Sequence, residues 1–431
     1  MSTRTKPSST AIYRCVAFAA ISAAAACNGS DHTGSDAQID VHDGAAADTS
    51  ADTPSTDATS DAAVTDTGAP SDASMSCPGR IPPHGDGGVE LDRIPSNFDT
   101  TAWIMDDGHV PPSAAPDPIG AFRFICNPSH ESYDDPIVFP CEPGRSHLHE
   151  FFGNTLTNSY STYETLRTTG DSTCMNPLNR SSYWVPAMMN GHGRVVRPDY
   201  AAIYYKSFPT GAPDCAQKGT VCVPLPRGLR FVFGFSLANP ATAPNTQTWF
   251  NCDGPTAEPG HYISIVEAAA HCPSGNHLGA VVFAPNCWNG HDLDSPDHQS
   301  HMAYGNYNDG TGVLRCPVTH PYVVPQFTIG VWYTTDDDLD RSGTWTPGVT
   351  STWFLSSDVS EDGTMVTPGT SFHADWFGAW DDDTMQRWMR HCIDGLENCS
   401  GGQLGDGTIL RNFSGFTWTA NPRVVDAPPR P

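Results

Sequence analysis

The chain has 431 residues, room for two or three domains at the usual size of about 100–200 residues each. Its formal charge of −26 repels nucleic acid and other polyanions at long range, which argues against DNA or RNA as a partner. Beyond the N-terminal leader, no apolar run approaches the roughly 20 residues that a membrane-spanning helix needs.

The leader, residues 1–27, carries Arg4, Lys6 and Arg14, then an apolar run from Val16 to Ala26, then Cys27. A positive flank, a short apolar core and small residues before a break make a secretory signal. Its Ala-Ala-Ala-Cys ending resembles a bacterial lipoprotein signal, in which Cys27 is lipidated and becomes the mature N-terminus. Ala24 stands where leucine is usual in such signals, and cleavage near Ala26 to a free secreted protein is the alternative. Residues 28–76 hold ten aspartates and no Lys, Arg, Glu or aromatic residue. Such a segment buries too little apolar surface to offset its ordering entropy, so a disordered, self-repelling tether is expected. The leader contributes +3 and the tether −10, leaving −19 for residues 77–431, which are expected to form a single β-rich domain.

Twelve cysteines follow Cys27, from Cys77 to Cys399, with no Cys-x-x-Cys pair among them. In an exported chain these predict up to six disulfides. Cys215 with Cys222, and Cys392 with Cys399, are plausible local pairs by spacing.

In chain order, Ile119–Cys126, Ser182–Pro186, Ala201–Lys206, Gly228–Phe235, Leu278–Phe283 and Pro325–Tyr333 are short β-branched or aromatic runs between Pro and Gly. They predict a mainly β, disulfide-rich sandwich or jelly-roll-like domain. One helix is expected, Asp382–Leu396, where Met385, Trp388, Met389 and Ile393 share a face and read as core packing.

Three stretches concentrate proton-transfer and metal-binding groups. His147 and His149 lie two apart before Phe151-Phe152-Gly153, so on a strand both imidazoles face one way, and Arg145 and Glu150 are polar neighbours. Residues 284–304 place His291, His298, His301, Asp292, Asp294 and Asp297 within eleven positions on a Gly- and Pro-interrupted loop. His373 and Asp375 are again two apart, with Trp376 and Trp380 close by. Convergence of His147, His149, His298, His301, His373 and Asp375 on one cleft is the joint expectation. Scattered, unrelated polar loops are the plainer one.

Ser146-His-Leu-His149, Ser182-Tyr-Trp-Val-Pro-Ala187, Pro226-Arg-Gly-Leu-Arg230, Asn286-Cys-Trp-Asn-Gly290, His298-Gln-Ser-His-Met-Ala-Tyr304 and His373-Ala-Asp-Trp-Phe-Gly-Ala-Trp380 follow one another in order. Over residues 115–395 the chain resembles the secreted fungal and bacterial DUF1996 family, a domain of unknown function often joined in fungi to carbohydrate-binding WSC modules. The resemblance implies an exported, disulfide-bonded domain with these histidine motifs. It supplies no reaction.

Three functions remain open. The first is an extracellular enzyme that cleaves a polysaccharide, as a hydrolase using Asp294, Asp297 and Asp375 or as a lyase with a histidine base. Trp288, Tyr304, Trp376 and Trp380 would then stack on sugars, and Arg145, Arg230 or Lys206 would face a uronate. The second is a metal-dependent enzyme with zinc or copper held by His147, His149, His301 and His373 or Asp375. The third is a non-catalytic glycan-binding surface lipoprotein. In each, the membrane is reached through the lipid anchor only.

Overall fold

The computed structural model describes residues 91–216, 219–234, 247–305 and 315–431; the signal, Cys27 and the Asp-rich segment lie outside them. The ten longest strands that build the two main sheets are β1 (Gly120–Cys126), β2 (Pro128–Ser132), β3 (His149–Gly153), β4 (Ser182–Pro186), β5 (Tyr200–Ser207), β6 (Arg230–Gly234), β7 (Thr248–Asp253), β8 (His277–Phe283), β9 (Gln326–Thr334) and β10 (His373–Phe377). They pair into two five-stranded sheets, β6-β10-β4-β3-β2 and β7-β8-β9-β5-β1, antiparallel throughout. The domain is mainly β, and the six predicted strands are all present. β2 and β7 were not expected, since Pro128–Ser132 carries no apolar alternation.

The two sheets share one core. Phe152, Tyr183, Val185, Phe231, Phe233 and Trp376 of the first meet Phe122, Phe124, Ile203, Tyr205, Phe327 and Ile329 of the second. Phe327 lies 5.1 Å from Trp376 and 5.9 Å from Phe231 between ring centroids, and the Tyr183 and Tyr205 hydroxyls meet at 2.9 Å. Burying each such side chain stabilises the fold by about 1.5–3 kcal/mol.

The first sheet is buried on its other face as well, where Phe151, Trp184, Val232 and Phe377 pack with Ile137, Tyr163 and Leu166 from the segments after β2 and β3. This double burial explains why every residue of β3 and β4 is buried, rather than every second one. Side chains two apart on β3 and on β10 therefore project into a covered space.

The C-terminal helix α1 (Asp382–Trp388) is capped by Asp381, whose carboxylate accepts the Thr384 N–H at 3.0 Å. A π turn, Met389–Ile393, follows, so regular structure ends three residues before the expected Leu396. Met385, Trp388, Met389 and Ile393 are all buried in the shared core, as their spacing predicted. Disulfides join Cys126–Cys174, Cys215–Cys222, Cys252–Cys272, Cys287–Cys316 and Cys392–Cys399, including both expected local pairs, and Cys141 is also disulfide-bonded. Among the described residues no helix is long and apolar enough to cross a membrane.

Candidate functional site

His149 opens β3 and His373 opens β10, on the outer face of the first sheet, while His147 precedes β3 in extended chain rather than within a strand. The ring centroids lie 4.2 Å apart for His147–His149, 5.1 Å for His147–His373 and 6.2 Å for His149–His373. One nitrogen from each falls within 4.8 Å of the other two. Backbone carbonyls set the tautomers. The His149 Nδ1–H donates to the Asp134 carbonyl at 3.0 Å, and the His373 Nδ1–H to that of Ser371 at 2.9 Å. A carbonyl only accepts, so in both rings Nε2 keeps its lone pair. The Nε2 atoms of His147 and His149 are buried without a hydrogen-bond partner among the described residues.

Two carboxyls complete the cluster. Asp375 follows His373 by two positions on the same face, its Oδ2 at 4.0 Å from His373 Nε2, and neither of its oxygens has a hydrogen-bond partner among the described residues. Asp135 accepts the N–H groups of Ile137 and Val138 at 2.8 Å each, and one oxygen each of Asp135 and Asp375 lies within 4.8 Å of the other and of a His149 nitrogen.

Burial governs the protonation states. It holds the His147 imidazole well below its ordinary range, helped by His149, His373 and Arg430. Burial, then the His373 charge, lowers His149 to about 3, and burial lowers His373 to about 4. The carboxyls move the other way: burial raises Asp135 to about 6, and burial together with Asp135 pushes Asp375 well up. At neutral pH the site presents three neutral imidazoles beside an acid pair. Neutral imidazole nitrogens are metal donors, and their orientation by carbonyls on the far ring nitrogen is the outer-shell arrangement of histidine metal sites. The orphaned Nε2 atoms and the unsatisfied Asp375 carboxyl fit a bound zinc or copper ion.

The other sequence candidates divide. His298 stands next to this cluster: its field acts on Asp135, its Nδ1 bonds Asp294 at 2.8 Å, and Asp294 pairs with Arg230 at 2.9 Å. His301 does not join it. Its Nε2–H donates to the Arg230 carbonyl at 2.9 Å and its Nδ1 pairs with the Ser295 hydroxyl at 2.8 Å, so both nitrogens are used in pinning the 286–304 loop to β6. As a metal ligand or base, His301 is corrected to a structural latch. Asp297 is likewise spent on its own turn, accepting the N–H groups of Ser300 and Gln299.

The aromatic platform is also corrected. Trp288, Trp376 and Trp380 are buried core residues, and the Tyr304 hydroxyl donates to the Phe283 carbonyl at 2.9 Å. The three tryptophans therefore offer no open ring face to a sugar. Glu150 points to the opposite face of β3 from His149, and Arg145 is exposed near Glu361. Asp135 and Arg430 were missed, because neither lies in a histidine-rich stretch and only the folded chain brings them near one.

The sequence matches the family model described as a domain of unknown function (DUF1996) over residues 135–380, more than half of its length. The chain belongs to the DUF1996 family. No curated protein and no solved structure matches it. The DUF1996 match begins at Asp135 and ends at Trp380, so it takes in the three imidazoles and both carboxyls.

Proposed function

We propose that this DUF1996 protein is an exported, metal-dependent enzyme that cleaves an extracellular polysaccharide. The observation that carries the metal is the convergence of His147, His149 and His373, all neutral and with one nitrogen of each within 4.8 Å of the others, while the His147 and His149 Nε2 atoms are buried without a hydrogen-bond partner among the described residues. Zinc or copper held there would supply Lewis acidity toward a substrate oxygen or an acidified water. Asp135 and Asp375 sit where a proton has to move. Burial keeps at least one of them protonated near neutral pH, so the pair can give a proton to a leaving group and take one from a nucleophile. His298, backed by Asp294 and Arg230, lies close enough to Asp135 for its charge to favour the Asp135 carboxylate. The polymer as substrate rests on export, on the disulfides and on the family's frequent company with glycan-binding modules. The lipid anchor at Cys27 and the acidic tether belong to the same proposal: they would hold the domain at the cell surface.

A second, metal-free reading has one observation in its favour. Asp135 and Asp375 form a close carboxyl pair, one oxygen of each within 4.8 Å of the other, and a pair of carboxyls is the equipment of glycoside hydrolysis. Elemental analysis of the full chain, purified without a histidine tag from an oxidising compartment, separates the two. The expected result is about one equivalent of zinc or copper per chain, lost in the His147→Ala/His149→Ala double variant. A folded, metal-free protein would overturn the metal reading. A polysaccharide panel scored for reducing ends and for unsaturated products then distinguishes hydrolase from lyase, and absence of both across the panel would count against polymer cleavage.

A further inference from the structure

Building on the polysaccharide reading, we propose that the substrate is an anionic glycan, one whose carboxylate or sulfate groups are received by Arg145 and Arg430 at the lip of the histidine cluster. Of the three clustered histidines His147 is the most exposed, half-buried where His149 and His373 are buried, so solvent lies nearest the cluster on the His147 side. Arg430 is close enough for its charge to act on the His147 ring, and Arg145 lies on the same segment of chain. Arg430 donates from Nη2 to the carbonyl of Ser146, the residue before His147, at 2.6 Å, and its guanidinium lies 5.0 Å over the Tyr133 ring. Arg145 lies two positions before His147, with its guanidinium 5.6 Å over Phe139. Its only ion pair among the described residues is a loose one, 3.7 Å to Glu361, with the side chains 56% and 89% exposed. An exposed pair of that kind contributes little and leaves Arg145 able to turn to a ligand.

Three carboxylates share this surface with the two arginines. Glu142 and Glu361 are exposed on the solvent side, and the Asp134 carboxylate is held by the Ser132 hydroxyl at 2.6 Å. In a chain with 48 acidic and 22 basic residues, two arginines flanking one entrance run against the global field. Stacked guanidiniums with unused N–H groups are suited to planar carboxylate and to sulfate. Arg230, the other arginine named from sequence, is committed to Asp294 and stacks 5.1 Å over Phe377, so it is not available for this role.

The test is affinity electrophoresis of the full chain in gels containing polygalacturonate, a sulfated galactan or a neutral β-glucan. Either anionic polymer should retard the protein, less so as salt is raised, while the neutral glucan should not. Losing both arginines in Arg145→Ala/Arg430→Ala should abolish the retardation, with each contributing about tenfold in apparent Kd. The Arg145→Lys/Arg430→Lys variant, with the parent's unfolding midpoint, should keep part of it, which separates charge from folding. Retardation by polygalacturonate alone assigns the anion to carboxylate, and by the galactan alone to sulfate. Equal retardation by the neutral glucan, no retardation by either polyanion, or an alanine variant that binds like the parent would each overturn the proposal. The readout needs neither metal nor turnover, so it fails or succeeds separately from the metal-dependent reading.

Discussion

Removing the His301 imidazole would leave the Arg230 carbonyl without its imidazole donor and the Ser295 hydroxyl with Asp297 alone. A buried polar group left unsatisfied costs about 1–3 kcal/mol. His301→Ala should therefore lower unfolding stability by about 2 kcal/mol or more while leaving metal content unchanged, measured by urea denaturation and elemental analysis on one preparation. Loss of metal without loss of stability would return His301 to the site. His147 has the opposite profile, because its Nε2 has no protein partner to lose. The two residues were indistinguishable as letters in a sequence. What separates them is whether the second ring nitrogen is already used.

At the scale of elements, the site depends on two devices. A strand makes residues i and i+2 neighbours on one face, which is why His373 and Asp375 on β10 meet the His149 end of β3 across the sheet. Gly153 ends β3 in a left-handed conformation at φ 88°, and a Cβ there would stand 2.0 Å from the Ser181 carbonyl, so the close approach of β3 to β4 requires glycine. The 286–304 loop is held by Asp294. Burial pushes that carboxyl up, but the His298 hydrogen bond and the Arg230 guanidinium outweigh it and the net pKa is lowered. A carboxylate depressed by folding contributes stability that is fully present above its unfolded value, about 3.9, and is lost as pH falls through the folded value. Asp294→Asn should thus be less stable than the parent at pH 7 and should lose less stability on acidification from pH 5 to pH 3. Denaturant midpoints across that range check it, and parallel acid limbs for the two proteins would show that Asp294 does not hold the loop through its charge.

For the whole molecule, disulfide density and an acidic surface belong to a protein stable outside a reducing compartment. The proposed anchor acts at this scale. A single residue, Cys27, would decide whether the acidic domain is tethered to a membrane or released. Cys27→Ser expressed in a bacterial host should move the protein from the membrane pellet to the soluble fraction. Retention in the pellet would rule out lipidation at that cysteine.

The chain by itself determined a good deal. Short β-branched and aromatic runs between turn residues were enough for a mainly β fold, because strand formation is governed by local stiffness and by the turns at either end. Cysteine spacing was enough for Cys215–Cys222 and Cys392–Cys399, where a short loop leaves few alternatives. The order of motifs was enough for the family. His147, His149, His373 and Asp375 were legible as candidates because period-two spacing survives into the folded sheet. Tertiary structure alone decided the rest. Asp135 reaches Asp375 only through sheet pairing and the cover over the outer face, and nothing local to Asp135-Pro136 announces that contact. The same packing took Trp288, Trp376 and Trp380 out of contention as sugar platforms, since an aromatic residue reads alike in a sequence whether it lines a cleft or fills a core. Burial and the fate of a second ring nitrogen are properties of neighbours far away in the chain, so they are written only in the fold.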